Sequence, residues 1–102
     1  MLILKEPLVK TITCSAGTWS GNTQNIIGGI LLHVVVQADT ATTTFDFSIT
    51  DDHSIIIKKW VGNTDELNEE VSIPVAGKYT LSISNASVLD ETFTVYLGID
   101  ES

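Results

Sequence analysis

The chain contains no arginine, and its five lysines face thirteen acidic residues, leaving a formal net charge of −8. Arginine's planar fork is the favoured contact for phosphate and guanine, and nucleic-acid affinity depends on clustered positive charge that displaces counterions. The chain is therefore expected to bind no nucleic acid, and an anionic membrane surface repels it for the same reason. Cysteine is almost as scarce. Cys14 stands alone, which excludes an internal disulfide, and a lone thiol in a strand-like run reads as a small buried hydrophobe rather than a nucleophile or metal ligand. No apolar run approaches the roughly twenty residues that a membrane-spanning helix needs. Residues 1–7 lack the basic start, long apolar centre and cleavage site of a signal peptide. The chain is thus expected to be made in a cytoplasm and not exported by the ordinary route, so Asn85-Ala-Ser87 reads as a chance glycosylation sequon. Helical periodicity is missing as well.

What remains is a succession of short strand patterns. With 102 residues and a 43% hydrophobic share, the chain is expected to form one domain, 1–102, able to hide about 65% of its unfolded surface. Its most strongly patterned stretch runs from Gly29 to Thr50 and reads as a hairpin. The first arm is a β-branched apolar run; the second places Phe45, Phe47 and Ile49 on one side and Thr44, Asp46, Ser48 and Thr50 on the other. Both faces of residues 30–36 are apolar apart from His33, so the pattern leaves open which one points inward, and one side could meet another subunit.

Around this pair, Leu8 to Cys14 alternates but is interrupted by Lys10, as in a peripheral strand. Ser15 to Asn25 is expected to be a loop carrying an exposed Trp19. Ile55 to Val61 reads as a strand closed by Gly62-Asn63-Thr64-Asp65, and another begins near Glu70 after an open loop. Lys78 to Ser84 turns Tyr79, Leu81 and Ile83 inward, and Thr92 to Ile99 does the same with Phe93, Val95, Leu97 and Ile99. Seven or eight strands with turn signals every eight to twelve residues predict an all-β fold, an antiparallel β-sandwich or jelly roll, since parallel strands would need crossover helices. The expected core adds Leu32, Val34, Val36, Ile57, Val71 and Ile73 to the residues above. Residues 1–9 read as an extended N-terminal arm.

The chemistry-bearing residues form no recognised constellation. His33 and His53 are the available bases, but the chain has no nucleophile-elbow Gly-x-Ser-x-Gly, no paired histidines at helical spacing and no phosphate-cradling loop. No catalytic residue, cofactor or metal ligand is assigned, and the chain is expected not to be an enzyme. Asp51, Asp52, Asp65, Glu66, Glu69 and Glu70 are expected in turns at one end; their spacing matches no EF-hand, and a solvated acidic rim is the simpler reading. One pentad recurs: Trp19-Ser-Gly-Asn-Thr23 and Trp60-Val-Gly-Asn-Thr64. Two loops each offering a tryptophan face and an amide could bind a glycan, or could cap the sandwich or anchor a protein contact.

Gly29-Ile-Leu-Leu-His-Val-Val-Val, Thr44-Phe-Asp-Phe-Ser-Ile-Thr-Asp51, Glu66-Leu-Asn-Glu-Glu-Val-Ser-Ile-Pro74 and Gly77-Lys-Tyr-Thr-Leu-Ser-Ile-Ser-Asn-Ala-Ser87 together resemble small β-rich virion proteins of tailed bacteriophages. The resemblance covers roughly residues 26 to 99 and rests on strand pattern and turn phrasing. It implies a capsid decoration or cement protein, or a head or tail appendage, that is a homo-oligomer located in the virion and bound to the major capsid protein or another virion protein. Gly77-Lys-Tyr-Thr-Leu before Phe93-Thr-Val-Tyr-Leu also resembles β-sandwich modules of secreted proteases and glycan-binding proteins, which implies, as the alternative, a carbohydrate-binding module used in host attachment. The interface candidates are Leu2, Ile3, Leu4 and Leu8, whose segment could add a strand to a neighbour's sheet, together with Trp19 and Trp60.

Overall fold

The structure is a computed structural model that describes residues 8–23 and 26–100. Eight strands occur among them: β1 (Leu8–Thr13), β2 (Trp19–Asn22), β3 (Ile26–Ala38), β4 (Thr44–Asp51), β5 (Ile56–Thr64), β6 (Glu66–Gly77), β7 (Tyr79–Ser84) and β8 (Thr92–Asp100). They form two four-stranded sheets, β1-β8-β3-β6 and β2-β7-β4-β5, in which every pairing is antiparallel. The fold is therefore an all-β sandwich with jelly-roll strand order. No helix long and apolar enough to cross a membrane occurs among the described residues.

The expected hairpin over 29–50 does not form. Its two arms are β3 and β4, which lie in different sheets; the pair that is both consecutive and hydrogen-bonded is β4 with β5. Alternation within a strand fixes which side faces the core, but carries no information about which other strand lies alongside it. The link between β3 and β4 folds over the end of the sandwich. Ala38 donates its N–H to the Asp65 carbonyl, Asp39 donates to the Thr92 carbonyl, and Thr43 closes a turn on Thr40. Asp65 is the single residue between β5 and β6, in the left-handed region at φ 64, and it donates in turn to the Thr43 carbonyl. The same end holds the Ser15–Thr18 turn and the 85–91 segment, joined by Cys14 N–H to Glu91 carbonyl and Gly17 N–H to Leu89 carbonyl bonds of 2.9 Å each. Four separate links are thus tied together at this end of the sandwich.

The alternating strands fill the core as their patterns predict. Phe45, Phe47 and Ile49 of β4, Tyr79, Leu81 and Ile83 of β7, and Phe93, Val95, Leu97 and Ile99 of β8 are all buried. Phe45 meets Phe93 edge-on across the two sheets, with ring centroids 4.9 Å apart. Strand β3 departs from its expected pattern. Leu31, Val34, Val36 and Ala38 are buried, while Leu32 is only half-buried and joins the outer surface. Register shifts between Leu31 and His33 in both of β3's ladders change the inward parity at that point, which even a two-faced apolar run cannot reveal. Ile57, Val71 and Ile73 pack against the core from partly exposed positions.

Other boundaries shift for similar reasons. Trp19–Asn22 is a strand paired with β7, not part of a loop; its short polar sequence hides a pairing that depends on β7. Strand β6 starts at Glu66 because β3 accepts its acidic first turn along an exposed sheet edge, where charge costs little. Pro74 is tolerated there because β6 is the outermost strand of its sheet. Of the expected N-terminal arm, residues 1–7 lie outside the described residues, whereas Leu8 and Val9 belong to β1 and pair with Leu97 and Tyr96 of β8.

Candidate functional site

The two pentads serve different backbone geometries, and neither forms a loop. In the second, the β4–β5 register slips between Phe45 and Phe47, leaving an extra residue on β5. Gly62 takes φ 71 there, a conformation that favours glycine, and donates its N–H to Asp46 Oδ1 at 2.9 Å. Asn63 donates its side-chain amide to the carbonyls of Phe45 and Trp60, both at 3.1 Å. Trp60 is buried and stacked on Phe47 at 5.9 Å, so the site candidate Trp60 belongs to the core rather than to a free surface. In the first pentad Trp19 is half-buried, and its ring lies so close over Gly21 that a Cβ there would stand 2.6 Å from it. Asn22 accepts from the Thr80 hydroxyl at 3.0 Å, while the buried Thr23 accepts from the Tyr79 N–H at 3.1 Å. Leu2, Ile3 and Leu4 lie outside the described residues, and Leu8 opens β1 at the edge of its sheet.

Two carboxylates are held inside polar clusters that stabilise the fold. Asp46 lies under the β5 bulge; the Gly62 N–H and the Asn85 side-chain amide hold its carboxyl below the usual range, against the opposing effect of burial, with a smaller contribution from Lys59. The amide of Asn85 reaches Asp46 Oδ2 at 2.8 Å, so the sequon's acceptor nitrogen is already engaged. Glu91 is only 4% exposed. Burial pushes its carboxyl up, but hydrogen bonds from the Thr43 hydroxyl, from Thr40 and from the Thr92 N–H outweigh that and hold it down. Cys14 is buried, and burial together with the neighbouring Glu91 charge raises its thiol, which fits an unreactive core position.

The acidic residues do not gather at one end as expected. Asp51 and Asp52 flank the β4–β5 turn, whereas Asp65 lies at the far end of β5 and Glu66, Glu69 and Glu70 lie along β6. No group of three or more metal-ligating side chains occurs among the described residues. Asp51 instead organises its own turn, accepting from the N–H groups of His53 and Ile55 at 2.9 Å each.

Two surface features remain. The first is the free edge of the second sheet, β5, where Ile56 is 57% and Val61 70% exposed, continued by Ile55 at 60% in the preceding turn. Lys58 and Lys59 sit in the same strip and are also exposed. The second is a depression of about 320 Å³ on the outer face of the first sheet, lined by Leu32, His33, Glu70, Val71, Tyr96 and Gly98. It lies where the register of β3 slips against both neighbours. His33 Nε2 donates to Asn68 Oδ1 at 2.6 Å, and Asn68 donates to Glu66 Oε1 at 2.9 Å. The imidazole stands edge-on to Tyr96 at 5.9 Å. The grouping of His33 with Tyr96 has no signal in the sequence, because it depends on β3 lying beside β8.

No protein-family model and no curated protein sequence matches this chain. Among solved structures, a carbohydrate-binding module described as CBM36 in complex with calcium and xylotriose aligns with a TM-score of 0.44 and 9% identity, over 97% of this chain and 93% of that one. The structure of the infectious bursal disease virus Gx strain aligns with a TM-score of 0.36 and 12% identity; this chain covers 32% of that chain, and 94% of this chain is matched. Both likenesses concern the course of the chain and say nothing of its ligands or partners.

Proposed function

We propose that this chain is a non-enzymatic structural protein of a virus particle, a decoration or cement protein of a tailed-phage head that contacts the major capsid protein or further copies of itself. The observation that supports this reading is the β5 strip. Ile56 and Val61 of β5, with Ile55 in the preceding turn, are exposed β-branched side chains that contribute little to the sandwich's own core, and β5 is an outermost strand of its sheet among the described residues. Isolated apolar residues are ordinary on a protein surface, but a row of them along a free edge is characteristic of a contact. The bulge at Gly62 and the two lysines discourage backbone pairing with a foreign strand, so the contact is made by side chains. Within a molecule of net charge −8, Lys58 and Lys59 make this strip the place where an acidic and apolar partner surface fits best.

The test is quantitative mass spectrometry of purified particles from the source system, counting this chain against the major capsid protein. Amounts near one copy per capsid subunit support decoration of the whole shell. A few copies per particle move it to a vertex or tail fitting, and complete absence overturns the reading.

A further inference from the structure

The depression on the outer face of the first sheet lies where the chain departs from regular sheet geometry. Register slips in both ladders of the central strand β3 at the same point, between Leu31 and His33. Bulges are retained where they re-aim side chains, and this one brings Leu32 and His33 onto the rim together. Gly98 keeps this part of the lining open: a Cβ there would stand 3.3 Å from both His33 Cβ and the Tyr96 hydroxyl oxygen, close enough that these side chains would have to shift by a few tenths of an ångström.

We infer that this depression is a binding site for a neutral sugar. Its wall combines an aromatic ring and two aliphatic side chains, Tyr96, Leu32 and Val71, with the hydrogen-bonding groups of His33 and Glu70. A pyranose presents that combination in complement, an apolar C–H face and a rim of hydroxyls. The imidazole is already oriented. Asn68 has its amide nitrogen committed to Glu66, so its oxygen faces His33; His33 Nε2 must then carry the hydrogen, and in the neutral ring Nδ1 is left as an acceptor. Glu66, Glu69 and Glu70 along β6 repel anions, which excludes phosphate or acidic sugars as the preferred ligand. At about 320 Å³ the space is at the small end of the ~300–1,000 Å³ typical of small-molecule sites, suited to one ring rather than a long chain.

The experiment is a titration of the full chain with glucose, galactose, mannose and N-acetylglucosamine, each in turn, followed by the amide resonances of Leu32, His33, Tyr96 and Gly98. For a ligand of this size in an open site, dissociation constants of roughly millimolar order are expected. Saturable shifts at those four amides with at least one sugar, weakened about tenfold or more by Tyr96→Ala and by Glu70→Gln, support the site. Both variants change side chains at the surface, so an unaltered spectrum elsewhere shows that the fold persists. The inference is overturned if none of the four sugars moves those resonances saturably, if the shifts survive both substitutions, or if inorganic phosphate shifts them as strongly. The outcome does not depend on whether the chain resides in a virion.

Discussion

Glu91 commits a buried carboxylate to donors from a link far away in the chain: the Thr40 N–H at 3.0 Å and the Thr43 hydroxyl, 51 and 48 residues distant. In sequence it is one of two adjacent acids, with Asp90, and nothing local separates it from a solvated one. Phe93 was legible because a large hydrophobe needs only an inward position on a strand. Glu91 was not, because its partners become neighbours only when β3, β4 and β8 meet at one end. Hydrogen bonds to charged groups contribute about 1.5–3 kcal/mol, and a buried donor left unsatisfied costs a similar amount, so Glu91→Gln is expected to lower stability by about 2–3 kcal/mol in urea denaturation. The carboxyls of Glu91 and Asp46 both lie below their ordinary range in the folded protein. Their stabilisation is therefore complete above the unfolded-state values near about 4 and is lost as pH falls through the lower folded-state values. Relief of the net negative charge acts in the opposite direction on acidification. Comparing melting temperatures of the parent and Glu91→Gln between neutral pH and the region below the ordinary carboxylate range separates the two effects: the variant should lose less stability than the parent.

Strand identity was largely readable and strand neighbourhood was not. The alternation in β4, β7 and β8 named its inward residues correctly because each has one apolar and one polar face. β3 failed because both faces are apolar and a bulge exchanges them midway; β2 and the start of β6 failed because their polar residues are strand-forming only beside β7 and β3. The repeated pentad shows the same limit, since the shared Trp-x-Gly-Asn-Thr pattern produces a bulge in β5 and a tryptophan-over-glycine contact in β2. The bulge gives a clean substitution. A Cβ at Gly62 would meet nothing within 4 Å, so Gly62→Ala is expected to cost only the left-handed backbone penalty, about 1–2 kcal/mol, read as a lower urea midpoint. The β5 strip behaves in the opposite way. Ile56→Lys with Val61→Lys should change stability by less than about 0.5 kcal/mol each, because both side chains are already exposed, yet should abolish incorporation into particles. Particle incorporation at the parent level in that double variant would remove the strip from the contact.

Jelly-roll order sends nearly every link from one sheet to the other, so the molecule becomes stable only when distant segments meet. Pairing of this non-local kind folds on the millisecond-to-second scale rather than in microseconds. The strand ladders described here begin at Leu8, which pairs with Leu97. Deleting residues 1–7, the proposed interface segment, is expected to leave the melting temperature close to that of the parent while abolishing assembly, judged by light scattering and capsid occupancy. Unchanged oligomer size and occupancy in the truncated chain would exclude that segment as an interface. The antiparallel sandwich was legible from strand count and turn spacing; the assignment of strands to its two sheets was not, because a polar link of five residues can return beside the strand it leaves or cross over the end of the sandwich.

The antiparallel ladder of β1 with β8 sets Thr13 opposite Thr92 at the tied end and Leu8 opposite Leu97 away from it. The start of β1 and the end of β8 therefore lie at the same pole, the one carrying the β4–β5 turn. A partner that grips the protein by this pole would present the loops around Glu91 to the outside.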